Sequence, residues 1–153
     1  MINNKIIDKQ TKKIKKMDLM EEDADVSIKV IIVGNGRVGK TSMMNRYCKG
    51  VATDNYKKTL GTDFMEKDLI LDDSGDEVKL MLWDTAGQEM FSKLTKSYYR
   101  GSGAVIYVFS TEDRESFIEI ERWQEKVENE CGSDIISVLV QNKIDLLDQA
   151  QMK

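Results

Sequence analysis

Histidine is missing from all 153 residues. Any acid, base or metal ligand must therefore come from groups other than imidazole. Cysteine is scarce: Cys48 and Cys131 stand far apart and in no metal-type spacing, which favours a reducing compartment. No apolar run reaches the about 18 residues that a membrane-spanning helix needs. The N-terminus lacks the apolar core of a secretory signal, so a cytoplasmic location is expected. Nor is there an excess of positive charge. The net charge is −4, which argues against nucleic acid as a partner of the whole domain.

What is present fits one soluble globular domain, with 41% apolar and 33% charged residues and enough length to bury a core. The charges are unevenly spread. Before Met17, Lys5, Lys9, Lys12, Lys13, Lys15 and Lys16 face only Asp8. Asp18, Glu21, Glu22, Asp23 and Asp25 follow. Residues 1–27 are therefore expected to form a basic-then-acidic extension, ahead of a folded domain over 28–153. The extension reads either as a disordered or frayed segment, or as a polybasic patch for anionic lipid or an acidic partner.

From Ser27 onward strand-like and helix-like patterns alternate. The β-branched run Ile28–Val33 suits a strand buried on both faces. Lys40–Cys48 reads as a helix. "DFMEKDLIL" and "EVKLMLW" flank "DDSGD", a hairpin signal. "GAVIYVF" and "SVLVQN" read as further buried strands. Between them Phe117, Ile120, Trp123 (or Gln124) and Val127 recur at helical spacing. The expected order is β, α, β-hairpin, α, β, α, β. That is an α/β fold with a mostly parallel sheet, flanking helices and one antiparallel edge hairpin.

Three stretches carry chemistry. Gly34-Asn35-Gly36-Arg37-Val38-Gly39-Lys40-Thr41 fits G-x-x-x-x-G-K-[ST] and lies between a strand and a helix, where such a phosphate-binding loop belongs. Its glycines let backbone N–H groups wrap a phosphate chain, and the helix N-terminus at Thr41 and Ser42 adds positive potential. Lys40 offers a point charge to the outer phosphates, and the Thr41 hydroxyl is suited to Mg²⁺. The second stretch is "KLMLWDTAGQE". Asp84, at a strand end, can hold Mg²⁺ directly or through water. Gly87 lets a backbone N–H approach the terminal phosphate, and Gln88 can orient a water without being a strong base. The third is Asn142-Lys143-Ile144-Asp145. Guanine presents N1–H and N2–H₂ side by side, and an ionised carboxylate accepts both, whereas adenine has no such donor pair. Asp145 is thus the base-selecting residue. The Lys143 stem can lie along the base, and Asn142 can tie this turn to the phosphate loop. An ATPase on the same loop is disfavoured by Asp145.

Together "GNGRVGKT", the threonine of "KKTLGTDF", "WDTAGQE" and "NKID" resemble the motifs of Ras-superfamily small GTPases. "WDTAGQE…YYRG" resembles the Rab branch. "CKG", "LMLWDTAGQE", "FSTEDRESF" and "LVQNKIDLL" are similar to the Rab subgroup linked with cilia and Hedgehog signalling. The likeness covers about Ile28–Leu147. It implies a P-loop NTPase-type fold and a GTP/GDP switch that hydrolyses GTP with Mg²⁺ and regulates vesicle traffic. It also implies guanine exchange factors, GTPase-activating proteins and effectors as partners, and a cytoplasmic protein peripheral to endomembranes. Thr59 becomes the threonine that closes on Mg²⁺ and the γ-phosphate, within a first switch of about 49–62. A second switch spans about 86–96, and Gln88 positions the attacking water. Phe64, Trp83 and Tyr98 match an aromatic trio that meets effectors; otherwise they are ordinary core aromatics.

Departures from the resemblance set further expectations. Arg37 stands where relatives carry a small or acidic residue, and either strengthens anion binding or crowds the loop. Gly36 leaves the position nearest the γ-phosphate without a side chain. The sequence given ends at Lys153, ahead of the sixth strand, the last helix and the prenylated tail of the resemblance. It shows no C-a-a-X motif, and Ile2 stands where myristoylation needs glycine. Membrane contact is then expected only indirectly or through the basic N-terminus. The alternative to an active switch is a non-catalytic chain or gene fragment that cannot hold nucleotide. Without a sixth strand, Ser137–Asn142 is expected to form an open apolar edge.

Overall fold

The computed structural model describes residues 26–50, 62–85 and 96–149. Five strands form one sheet: β1 (Val26–Val33), β2 (Thr62–Ile70), β3 (Glu77–Thr85), β4 (Ala104–Ser110) and β5 (Ile136–Asn142). Among the described residues four α-helices accompany them: α1 (Lys40–Lys49), α2 (Lys96–Tyr99), α3 (Arg114–Ile118) and α4 (Ile120–Cys131). A 3-10 turn follows at Ile144–Gln149. The strand order is β2-β3-β1-β4-β5. Only β2 runs antiparallel, paired with β3 from Thr62 opposite Thr85 to Ile70 opposite Glu77. The mostly parallel sheet with one antiparallel edge hairpin is the architecture expected from the sequence.

β1 shows why the pattern was informative. Val30, Ile31, Ile32 and Val33 are all buried. Successive side chains on a strand point to opposite faces. Ile31 and Val33 enter a core with Tyr98, Tyr99, Val105, Tyr107, Trp123 and Val127, under α4. Val30 and Ile32 enter a second core with Val38, Met44, Leu82 and Val108, under α1. A strand covered on both faces needs no polar alternation. It also begins earlier than Ile28, because exposed Val26 and Ser27 pair with Val78 and Lys79 before either core starts.

The helical pattern around Trp123 proves to be two helices. Asp113 caps α3 through a hydrogen bond from the Ser116 N–H. Glu119 ends α3 and starts α4, with φ −71° and ψ −9°. Both helices pack on β4, at different residues along it. Phe117 packs edge-on against Phe109 at 5.0 Å but stays half-exposed. Trp123 and Val127 are fully buried in the α4 core, so the buried position is Trp123 and not Gln124.

Among the described residues β5 lies at the sheet edge and none of its side chains is buried. "SVLVQN" is therefore not the buried strand its apolar run suggested: β4 pairs with it on one side and no described strand pairs on the other. Ile136 is 70% exposed, and Val138 and Leu139 are each 52% exposed. An edge strand presents unpaired backbone groups to any chain that meets it. Expressed as these 153 residues, the chain should self-associate along β5 as concentration rises. Val138→Lys places a charge in that edge and should shift sedimentation towards monomer, at a stability cost of about 0.5 kcal/mol or less for an exposed position. A parent that stays monomeric at every concentration would remove the edge as a contact.

Candidate functional site

The nucleotide-site candidates within the described residues lie at the carboxyl ends of the parallel strands. The loop after β1, Asp84 in β3, Ser110 at the end of β4 and Asn142 at the end of β5 share that rim. β1 is where the order turns, with β3 on one side and β4 on the other. Open α/β sheets hold ligands at such a turning point, outside the carboxyl ends.

The loop Gly34–Thr41 is shaped by two glycines at positive φ, where any other residue would be strained. Gly34 has φ +144°, and a Cβ there would lie 2.1 Å from the Val108 carbonyl oxygen. Gly39 has φ +93°, and its Cβ would lie 2.4 Å from Asn142 Nδ2. At Gly36 a Cβ would meet nothing within 4 Å, so packing does not demand a glycine there. Lys40 turns inward: its Nζ donates to the carbonyls of Gly34 at 2.8 Å and Asn35 at 2.9 Å. The ammonium thus lies inside the loop, only 5% exposed. Val38 is buried beneath the loop, and Ser42 continues α1 behind Thr41. Arg37 is exposed and takes φ +69°, a left-handed conformation that a side chain disfavours.

Asp84 meets this loop from β3. Its carboxylate is fully buried, and its Oδ2 accepts a hydrogen bond from the Thr41 hydroxyl. Oδ1 is buried and has no partner among the described residues. Burial pushes the Asp84 carboxyl up from its ordinary pKa, against the Thr41 hydrogen bond and the Lys40 charge. A hard divalent cation fits such an orphaned oxygen beside a hydroxyl. Among the described residues no group of three or more His, Cys, Asp or Glu could hold a metal alone. Among the described residues, the groups that face such a cation are the Asp84 carboxylate and the Thr41 hydroxyl.

The N-K-I-D turn is tied to the loop as its asparagine suggested. Asn142 Nδ2 donates to the Val38 carbonyl at 2.8 Å, across 104 residues. The Asn142 carbonyl is held from β4 by the Thr111 N–H and hydroxyl, each at 2.9 Å. Lys143 takes φ +60°, and its Nζ pairs with Glu112 at the rim. Asp145 is exposed beside it, in the 3-10 turn, with its carboxylate at the surface.

Phe64, Trp83 and Tyr98 do form one aromatic row. Ring centroids are 5.1 Å apart for Phe64–Trp83 and 6.3 Å for Trp83–Tyr98. Phe64 is exposed, Trp83 is intermediate, and Tyr98 is buried with its hydroxyl donating to the Trp83 carbonyl at 2.8 Å. Lys29 lies under the row, its Nζ 4.8 Å from the Trp83 ring centroid and donating to the Tyr98 and Arg100 carbonyls. Thr59, Gly87, Gln88, most of both expected switches and residues 1–25 lie outside the described residues. One contact was not foreseen: the Trp123 indole N–H donates to Asn35 Oδ1 at 3.0 Å. The available signal was a tryptophan on a buried helix face, whose N–H needs an acceptor.

The sequence model described as the Ras family matches residues 29–153. The GTP-binding protein YPT1 of Saccharomyces cerevisiae is 40% identical over 130 residues, covering 85% of this chain and 62% of that protein. The Ras-related protein Rab-30 of Homo sapiens is 39% identical over 131 residues, covering 86% of this chain and 64% of that protein. The chain thus spans under two thirds of the length of these curated relatives. They do not single out the cilia- and Hedgehog-linked Rab subgroup. With the phosphate loop, the strand-end aspartate and the N-K-I-D turn assembled on one rim, the match is to fold and site together: the chain belongs to the Ras family, in its Rab branch.

Proposed function

We propose that this chain carries the nucleotide site of a Rab-type switch that binds GTP, hydrolyses it to GDP and regulates membrane traffic. The observation that carries this reading is the tie between two motifs 104 residues apart, Asn142 to the Val38 carbonyl. It brings a phosphate loop and a guanine-type acidic turn onto one rim. The backbone from Gly34 to Ser42 cradles the phosphates. The Lys40 ammonium exchanges part of its carbonyl contacts for phosphate oxygens. Thr41 and Asp84, with Thr59, hold Mg²⁺, which when bound neutralises charge on the outer phosphates. Asp145 accepts both guanine donors, with Lys143 along the base. Gly87 contributes a backbone N–H, and Gln88 orients the attacking water. Ras itself is the worked case of this chemistry, in which an arginine from an activating protein stabilises the transition state.

The partners follow from that reading: an exchange factor, a GTPase-activating protein and effectors that meet Phe64, Trp83 and Tyr98. An exposed Phe64 beside Trp83 supports an interface, because exposed aromatics anchor many of them. No helix among the described residues is long and apolar enough to cross a membrane. A cytoplasmic protein, peripheral on endomembranes, suits that reading. The non-catalytic alternative has no better support, since the phosphate loop and both of its flanking motifs are intact.

Two substitutions test the roles. Asp145→Asn replaces a two-site acceptor by one acceptor and one donor. Competition binding should show GTP weakened by about 3 kcal/mol, roughly a hundredfold, with xanthine nucleotide gaining relative to it. Unchanged preference for GTP would mean that the base is gripped elsewhere. Gln88→Leu keeps the cradle and removes the amide that orients water. Single-turnover hydrolysis should fall by about tenfold or more, at least roughly 1.4 kcal/mol of barrier, while GTP affinity survives. Equal rates for variant and parent would take Gln88 out of the reaction.

A further inference from the structure

We infer that Trp123 is a positioning residue of the phosphate loop, acting through Asn35 to slow the release of bound nucleotide. This rests on the nucleotide reading above and adds a residue that lies in none of its motifs. Trp123 sits in the first turn of α4, fully buried, and its Nε1 donates to Asn35 Oδ1 at 3.0 Å across 88 residues. The Asn35 backbone carbonyl accepts from Lys40 Nζ at 2.9 Å. One loop residue is thus bound through its side chain to the α4 core and through its backbone to the phosphate-facing lysine.

The loop needs such support. It carries a non-glycine residue, Arg37, at φ +69°, followed by Gly39 at φ +93°. Backbone in sparsely populated regions persists only where its surroundings over-determine it. On one flank the restraint is Asn142, bonded to the Val38 carbonyl at 2.8 Å. On the other flank it is Trp123. The indole is well anchored, packed with Ile31, Tyr99 and Val127 and with Lys126 Nζ 5.7 Å from its ring. An indole N–H only donates, so it selects the oxygen of the Asn35 amide and leaves the NH₂ for another acceptor. The tryptophan therefore sets one of two amide orientations at the loop's first turn. Without the N–H that choice is lost, and the turn that precedes the phosphates loosens.

The test is release of a fluorescent GDP analogue from the Mg²⁺-loaded protein during a chase with excess GDP. Trp123→Phe keeps a large apolar ring and removes the N–H. It should speed release by about fivefold, as expected for loss of one buried hydrogen bond. Asn35→Ala should speed release similarly in the parent and add nothing in the Trp123→Phe background. Val78→Ala opens a buried position at the opposite end of the sheet from the loop. It should lower the melting temperature and leave the release rate unchanged. Additive effects of Trp123→Phe and Asn35→Ala would overturn the inference, as would equal acceleration by Val78→Ala. If Trp123→Phe does not fold, Asn35→Ala alone decides, and an unchanged release rate overturns the inference. A parent that binds no guanine nucleotide sinks the nucleotide reading and this inference together. A parent that binds it, with release unaltered by the variants, sinks the inference alone.

Discussion

The Lys40 ammonium, held inside its loop by the Gly34 and Asn35 carbonyls, is the constraint on which the site depends. A charged group so little exposed is stable only when its donors are satisfied. The loop must therefore curl around the lysine, and the rest follows from that curl. Gly34 must be a glycine because the curl brings it against the Val108 carbonyl. Gly39 must be one because the Asn142 side chain closes over it. The carbonyls that hold the lysine belong to the residues that leave β1. The charge is thereby fixed to the buried carboxyl half of β1.

The same rim carries a second group that burial does not favour. The Asp84 carboxyl is raised by burial and keeps one oxygen without a partner among the described residues. Proteins rarely leave a buried acceptor unmatched without a reason. The proposed function supplies one: under it, Asp84, the Thr41 hydroxyl and the Lys40 ammonium would meet a metal–phosphate pair. The two cores beneath them serve this rim. One seats α1, which carries Lys40 and Thr41, and the other seats α4, which carries Trp123.

Much of this was legible because the signals are local. Residues 34–41 announce a loop by glycine spacing, and Val30–Val33 announce a doubly covered strand by their unbroken apolar run. The tie from Asn142 to the loop was legible because N-K-I-D follows a buried-looking strand and places an amide at its end. Long-range geometry was less so. The break at Glu119 cannot be read from periodicity, since Phe117, Ile120, Trp123 and Val127 keep one helical spacing across it. The bond from Trp123 to Asn35 spans 88 residues, and the sequence shows a buried indole without showing its acceptor. Nor did spacing reveal that Lys143 pairs with Glu112, because that pairing depends on how β4 and β5 end side by side.

The central claim is that this rim selects a guanine nucleotide with its metal. Calorimetric titration of the chain with GTP and with ATP, each with and without Mg²⁺, tests it most directly. GTP should bind, Mg²⁺ should strengthen that binding, and ATP should give no heat above dilution. Equal binding of the two nucleotides, or GTP binding indifferent to Mg²⁺, would contradict the assignment of Asp145 to the base and of Thr41 and Asp84 to the metal.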